Sequence, residues 1–157
     1  MQALRVEANK DITKLLLRGV PDRPGIAAEI FGALGAKGFN VELVVATGGT
    51  AATADICLAV REKDAEEVQR ALEEIRQETM ASEVVSDSSV ALVSVLGANL
   101  SKVPGVAGRM FKALSAKGIN IEVISTSLSS VTCMIPLERT EEAIAALEGE
   151  FLEETAG

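Results

Sequence analysis

The feature that most constrains the fold of this chain is an internal repeat. The segment PGIAAEIFGALGAKGFNVE, residues 24–42, matches PGVAGRMFKALSAKGINIE, residues 104–122, at eleven of nineteen positions. A second match follows in both copies and superimposes the apolar segments 54–60 and 130–136, each of which contains one cysteine. Self-similarity of this kind indicates that one supersecondary unit has been duplicated. Each copy then accounts for about half of the 157 residues.

The spacing of apolar residues changes in the same order within each copy, which predicts the secondary structure. An apolar strand is followed by a helix that a Pro-Gly pair opens and a Lys-Gly pair closes, then by a hairpin and a second helix. Asp64 and Thr140 are the predicted N-caps of the second helices. The predicted strands cover 12–20, 40–46 and 55–60 in the first copy and 90–97, 120–126 and 131–135 in the second; the predicted second helices cover 64–76 and 140–151.

The order of these elements predicts an α+β fold, the ferredoxin-like βαββαβ unit, with an antiparallel sheet and both helices on one face. In the first copy we expect residues 83–86 to form the closing strand. The second copy has no strand after its last helix, so we expect the N-terminal segment 4–8 to fill that missing edge. We expect the first module to cover residues 1–88, which include the N-terminal strand, and the second module to cover residues 89–157.

Composition excludes several classes of function. The net charge of −8 and the pI near 4.7 disfavour binding to a phosphate backbone, so we expect no nucleic-acid partner. No apolar segment approaches the roughly 18 residues of a membrane span and the N-terminus lacks a signal sequence, so we expect no membrane partner and a cytoplasmic location. The chain has no histidine and only Cys57 and Cys133, which we expect to be buried reduced thiols. We therefore predict no metal, no cofactor and no catalysis by this chain alone.

The two Pro-Gly helix starts are the candidate binding sites. Free amides at a helix N-terminus carry partial positive charge and can hold a carboxylate, and Asp22 just before the first start can hold an ammonium group. Together they would bind the two ends of a free amino acid. A Pro-Gly pair is also a common plain turn, and Asn40 and Asn120 can simply terminate the Lys-Gly loops, so the structural alternative stays open at both places.

Two longer segments, VPDRPGIAAEIFGALGAKGFNVELVV and VPGVAGRMFKALSAKGINIEVISTS, resemble the tandem ACT domains of aspartate kinase. The resemblance covers nearly the whole chain and lacks the N-terminal kinase domain, which implies a separate regulatory β subunit or an excised regulatory domain. It implies a homodimer that works with a catalytic α subunit. It also implies that an end-product amino acid, threonine or lysine, binds between the first module of one chain and the second module of the other for feedback inhibition.

The resemblance also implies the effector-binding residues. These are Asp22, Gly25, Ile26, Ala27, Asn40, Val41 and Glu42 in the first module, and Asn120, Ile121, Thr126 and Ser127 in the second. The chain departs from the family pattern at Ala46 and Thr47, where many members have a Gln-Asn pair, and at Leu128, where an acidic residue is common. No extra carboxylate is evident to hold a second ammonium, which favours threonine over lysine. The alternative is a scaffold that dimerises and stabilises the catalytic subunit without sensing an amino acid.

Overall fold

The computed structural model describes residues 4–48 and 52–156, which form two compact units. The first module is Asp11–Ser88, and the second module combines the chain up to Lys10 with the chain from Ser89 onward. Strand β1 (Arg5–Asn9) therefore belongs to the second module, and the boundary expected at residues 1–88 is wrong at its N-terminal side. The reason is the pairing of β1, because its partner strand lies in the second copy.

The first module is a four-stranded antiparallel sheet with two helices. Its elements are β2 (Ile12–Pro21), α1 (Ile26–Ala36), β3 (Val41–Gly48), β4 (Thr53–Arg61), α2 (Ala65–Thr79) and β5 (Glu83–Asp87). The strands are arranged in the order β3-β4-β2-β5, so the predicted closing strand is confirmed at the edge beside β2.

The second module repeats this arrangement and obtains its fourth strand from the N-terminus. Besides β1 its elements are β6 (Val90–Leu96), α3 (Val106–Ala116), β7 (Val123–Thr126), β8 (Ser130–Pro136) and α4 (Thr140–Ala156). Its strand order is β1-β6-β8-β7, and β1 pairs antiparallel with β6 from Arg5 opposite Leu96 to Asn9 opposite Leu92. The prediction that the N-terminal segment fills the missing edge is confirmed.

Each module has its own aliphatic core between the sheet and both helices. In the first, α1 contributes Ile30 and Leu34, and α2 contributes Leu72, all almost completely buried against β2 and β4. In the second, α3 contributes Met110 and Leu114 at the equivalent positions. Apolar residues at helical spacing form one stripe, and burying that stripe fixes which side of each helix faces the sheet.

Besides small shifts in their bounds, the elements begin differently from prediction at α2, α4 and β7. The Asp64 side chain makes no capping hydrogen bond, because a short 3₁₀ turn precedes α2 and changes the backbone there. The Thr140 hydroxyl donates to the carbonyl oxygen of Leu137 at 2.6 Å and accepts no capping hydrogen bond from the described part of α4. Strand β7 begins only at Val123, after the Glu122 N–H pairs with the Met134 carbonyl at 2.8 Å.

Candidate functional site

Both modules start their first helix with the same backbone turn. The residue before α1 is Gly25, with φ +90°, and the residue before α3 is Gly105, with φ +84°. L-residues rarely adopt this left-handed conformation, whereas glycine adopts it freely. A Cβ at either position would meet nothing within 4 Å, so glycine is favoured there by the backbone conformation and not by a lack of room for a side chain. The duplicated Pro-Gly pair therefore encodes one specific geometry.

This turn leaves backbone donors available at the start of α1. The Ile26 N–H donates to the Arg23 carbonyl at 3.3 Å. Within residues 4–48 and 52–156 nothing accepts a hydrogen bond from the amides of Ala27 and Ala28. Neighbouring unpaired amides at the positive end of an 11-residue helix favour an anionic group such as a carboxylate.

The start of α3 opens into a cleft of about 340 Å³. In the described part of the second module, no acceptor is present for the amides of Val106 and Ala107, both of which line it. The cleft therefore brings the predicted residues Thr126 and Ser127, from the end of β7, to the helix start. Its lining residues are Leu100, Ser101, Val103, Pro104, Gly105, Val106, Ala107, Thr126, Ser127 and Val131.

The two hydroxyls at the end of β7 differ in how they are bonded. The Ser127 hydroxyl lies 2.9 Å from the Ser130 hydroxyl and accepts from the Ser129 N–H at 3.3 Å, so it stabilises the hairpin turn. The Thr126 side chain is exposed, and its hydroxyl has no partner among the residues that the structure describes. Of these two hydroxyls, that of Thr126 is therefore the one that a ligand in this cleft can bond without disrupting the turn.

Five other predicted site residues lie at the opposite end of their strands. Asn120 precedes Thr126 by six residues, which is about 20 Å along an extended chain. Val41 and Ile121 pack against the cores of their own modules. Glu42 lies at an irregularity in the pairing of β3 with β4, and its Oε1 is 3.6 Å from the Nε of Arg61. Within one module, these residues and the exposed Asn40 are therefore not brought to the helix start.

Charges beside the two helix starts are arranged differently. Asp22 is exposed, and its N–H donates to the Ala52 carbonyl at 2.8 Å. Beside it, the Arg23 guanidinium pairs with Glu29 at 2.9 Å. In the second module the equivalent of Glu29 is Arg109, which pairs with Glu150 at 2.7 Å and lies 4.8 Å from the centre of the Phe151 ring. These arginines are held in ion pairs rather than simply solvated.

Two matches to the ACT domain cover residues 15–78 and 93–151. Among solved structures, the regulatory subunit of aspartate kinase from Thermus thermophilus is 33% identical, with a TM-score of 0.87 over 93% of this chain and 96% of that chain. A structure of aspartokinase alpha and beta subunits is 31% identical, with a TM-score of 0.86 over 95% of this chain and 99% of the other. The chain belongs to the ACT-domain regulatory family of aspartate kinase.

Membership in this family fits both the fold and the sequence expectation of tandem ACT modules. Aspartate kinase from Pseudomonas putida is 37% identical over 143 residues, which are 91% of this chain and 35% of that protein. The chain thus spans about a third of the length of such curated relatives.

The ACT-domain chain contains a β-bulge that the periodicity of its sequence did not predict. Arg18 and Gly19 of β2 lie opposite the single residue Asp55 of β4. Gly19 has a φ of +69°, and its N–H donates to Asp55 Oδ1 at 3.0 Å. A glycine inside an apolar strand is the sequence signal that indicates such a bulge.

The cysteines of this family member are buried and form no disulfide, as expected. Burial raises the pKa of the Cys133 thiol to about 12, so it stays protonated near neutral pH and is a poor nucleophile. In the described residues, no group of three or more histidine, cysteine, aspartate or glutamate side chains is placed to hold a metal ion. No helix in residues 4–48 and 52–156 is long and apolar enough to cross a membrane.

Proposed function

We propose that this chain is the regulatory part of an aspartate kinase and binds threonine, an end product, for feedback inhibition. The observation that carries the proposal is the cleft at the start of α3, where unpaired backbone amides and the Thr126 hydroxyl lie together. Its membership in the ACT-domain regulatory family of aspartate kinase supports the same function. In this proposal the chain performs no chemistry itself.

The hydrogen bonds and the dipole at a helix start can together bind a free amino acid. A hydrogen bond from an amide to a carboxylate contributes about 1.5–3 kcal/mol, and the helix dipole adds about 0.3–1 kcal/mol. Two such bonds therefore contribute roughly 3–7 kcal/mol, and a dissociation constant of 1 mM requires about 4 kcal/mol. Immobilising the ligand lowers this total, so we expect these groups to support a dissociation constant in roughly the millimolar range.

Threonine fits the second-module cleft better than lysine does. The residues that line it carry no carboxylate, so nothing there would neutralise the second ammonium group of lysine. The exposed hydroxyl of Thr126 can instead exchange a hydrogen bond with the hydroxyl of threonine. In the first module, Asp22 beside the α1 amides would bind the α-ammonium group.

The partners in this proposal are a second copy of the chain and a catalytic subunit in the cytoplasm. Asn40 and Asn120 lie at the far end of their strands, so within one module they do not reach an effector held at the helix start, and a facing module of a second chain would bring them to it. A homodimer in which the first module of one chain meets the second of the other would supply that arrangement. Effector binding then favours one arrangement, and a coupling of about 1–3 kcal/mol corresponds to a 5–150-fold effect on affinity.

Isothermal titration of the full chain with threonine, lysine, leucine and methionine tests this function. We expect threonine to release heat and Asp22→Ala, Asn120→Ala and Thr126→Val to weaken its binding. Ser129→Ala is the matched control, because this hairpin hydroxyl does not line the cleft. An absence of both heat and thermal stabilisation with all four amino acids would contradict the sensor and favour a scaffold that only dimerises.

A further inference from the structure

The β-bulge in β2 determines which side of the sheet the residues before α1 face. Leu17 and Val20 both belong to the core beneath the helices, although a regular strand would turn residues three apart to opposite faces. The extra residue at Arg18-Gly19 restores Val20 to the helix side. Asp22 directly follows the end of β2 at Pro21 and precedes Gly25 by three residues, so the bulge sets the position from which Asp22 leaves the strand towards the start of α1.

The bulge is held from both neighbouring strands. On one side, Asp55 Oδ1 accepts the Gly19 N–H at 3.0 Å, a donor that the irregular ladder leaves without a regular strand partner. On the other side, the Ser82 N–H donates to the Arg18 carbonyl at 2.8 Å. A Cβ on Gly19 would lie 2.2 Å from the Ser82 hydroxyl oxygen, so this position admits only glycine without rearrangement.

We propose that Asp55 is a positioning residue for the effector site of the first module, because its bond to Gly19 holds the bulge that sets Asp22 beside the start of α1. This inference rests on the proposed function, since it concerns the same effector site. Asp55 does not need to touch the ligand. By strand register its second-module counterpart is Ser130, opposite Leu96, and the pairing of β6 with β8 shows no such shift over Val90–Leu96, so the device belongs to the first module alone.

Two substitutions at position 55 separate the effect of the hydrogen-bond acceptor from the effect of the negative charge. An asparagine at position 55 keeps an acceptor oxygen for the Gly19 N–H and removes the charge. An alanine removes the acceptor and leaves a partly buried N–H unsatisfied. Asp55→Asn should therefore preserve effector binding, whereas Asp55→Ala should weaken it.

Two-dimensional NMR of the full chain during titration with threonine tests the role of Asp55, with the Asp22 and Gly25 amides reporting on the first-module site. We expect Asp55→Ala to weaken binding there at least tenfold and to speed hydrogen exchange at Gly19 at least tenfold, while the Leu58 amide in the core stays protected. Asp55→Asn should stay within about twofold of the unsubstituted chain. Glu83→Ala is the control, because Glu83 pairs with Arg18 at the surface and makes no bond to Gly19.

The possible outcomes separate this inference from the function on which it rests. Unchanged threonine affinity in a folded Asp55→Ala chain would overturn the role of Asp55 alone. Loss of binding in Asp55→Asn with Gly19 still protected would also overturn it, because charge and not position would then matter. Failure of the unsubstituted chain to bind threonine at Asp22 and Gly25 would overturn the role of Asp55, and failure to bind it at either helix start would overturn both proposals.

Discussion

The two modules share the backbone of their helix starts and differ in the side chains around them. Gly25 and Gly105 have nearly the same φ, and each precedes a helix of 11 residues. In the first module an exposed Asp22 lies beside that start, whereas Lys102 takes its place in the second. The second module instead brings Thr126 to its helix start, where the first module has Ala46.

This difference shows how a duplicated scaffold can carry two unequal sites. Both cores have stayed apolar although individual residues differ, as at Ile30 and Met110, because a buried position must be filled by side chains that need no contact with water. The strand ends and loops are free to change, since their side chains are exposed. We therefore expect the first module to recognise mainly the ammonium and carboxylate groups of an effector, and the second to recognise its side chain as well.

Matched cavity substitutions give the largest effect and test whether the cores are equivalent. Leu34 and Leu114 are 1% and 0% exposed at corresponding positions of α1 and α3. Replacing either by alanine should lower the free energy of unfolding by about 2–5 kcal/mol. Denaturant titrations of the two variants should agree within about 1 kcal/mol. A much larger cost in one module would show that the two cores are not equivalent.

Substitution of Gly19 tests the bulge that distinguishes the first module. Gly19→Ala places a Cβ in a left-handed conformation and against Ser82, so we expect it to lower the free energy of unfolding by about 1–3 kcal/mol. Gly25→Ala shares the positive φ but has open space, and should cost about 1 kcal/mol. Equal costs for the two variants in thermal or denaturant unfolding would argue against a tightly enclosed bulge.

The two cysteines give a pH-dependent comparison, because Cys133 lies in the core of the second module, where the register of the first module has Leu58, and Cys57 is not part of the first-module core. The Cys133 thiol has its pKa raised by burial to about 12 from 9.0, so the unfolded chain ionises first as the pH rises. Stability should be constant below about pH 8 and fall above pH 9, by roughly 1.4 kcal/mol at pH 10. Cys133→Ala should abolish this component of the loss and Cys57→Ala should retain it. Unfolding titrations at pH 7 and pH 10 measure both.

The smallest expected effect is a stabilisation at the end of α2. Met80 has φ 62° and is 89% exposed, so a large apolar side chain occupies a position where glycine is favoured. Met80→Gly should raise the free energy of unfolding by about 0.5–1 kcal/mol. Met80→Ala, which keeps the unfavourable backbone conformation, should give no gain. A stabilised alanine variant would show that the exposed side chain rather than the backbone is the cause.

The sequence predicted the parts of the fold that depend on repetition and periodicity. The Lys-Gly pairs end α1 and α3 with Gly38 and Gly118 at positive φ, as expected, and the N-terminal strand completes the second sheet. The bulge was not predicted, because it depends on the contact of Gly19 with Asp55 and Ser82, which are distant in the sequence. Local spacing carries no information about such contacts.

The candidate site was predicted in part for the same reason. Helix starts are local features, so Pro-Gly pairs located them correctly. Which strand ends reach a helix start depends on the hairpin geometry, which brings Thr126 to the α3 cleft. Asn40 and Asn120 lie at the other strand ends, and their role as effector contacts stays a prediction that needs a second chain.

A crystal structure of the chain grown with saturating threonine tests the central claim most directly. We expect the carboxylate of threonine about 3 Å from the amide nitrogens at the start of α1 or α3. The ammonium of threonine should then lie near Asp22, or its hydroxyl near Thr126. Threonine bound at a place that involves neither helix start would contradict the account. A structure in which the amides at the starts of both α1 and α3 remain without threonine at saturation would also contradict it.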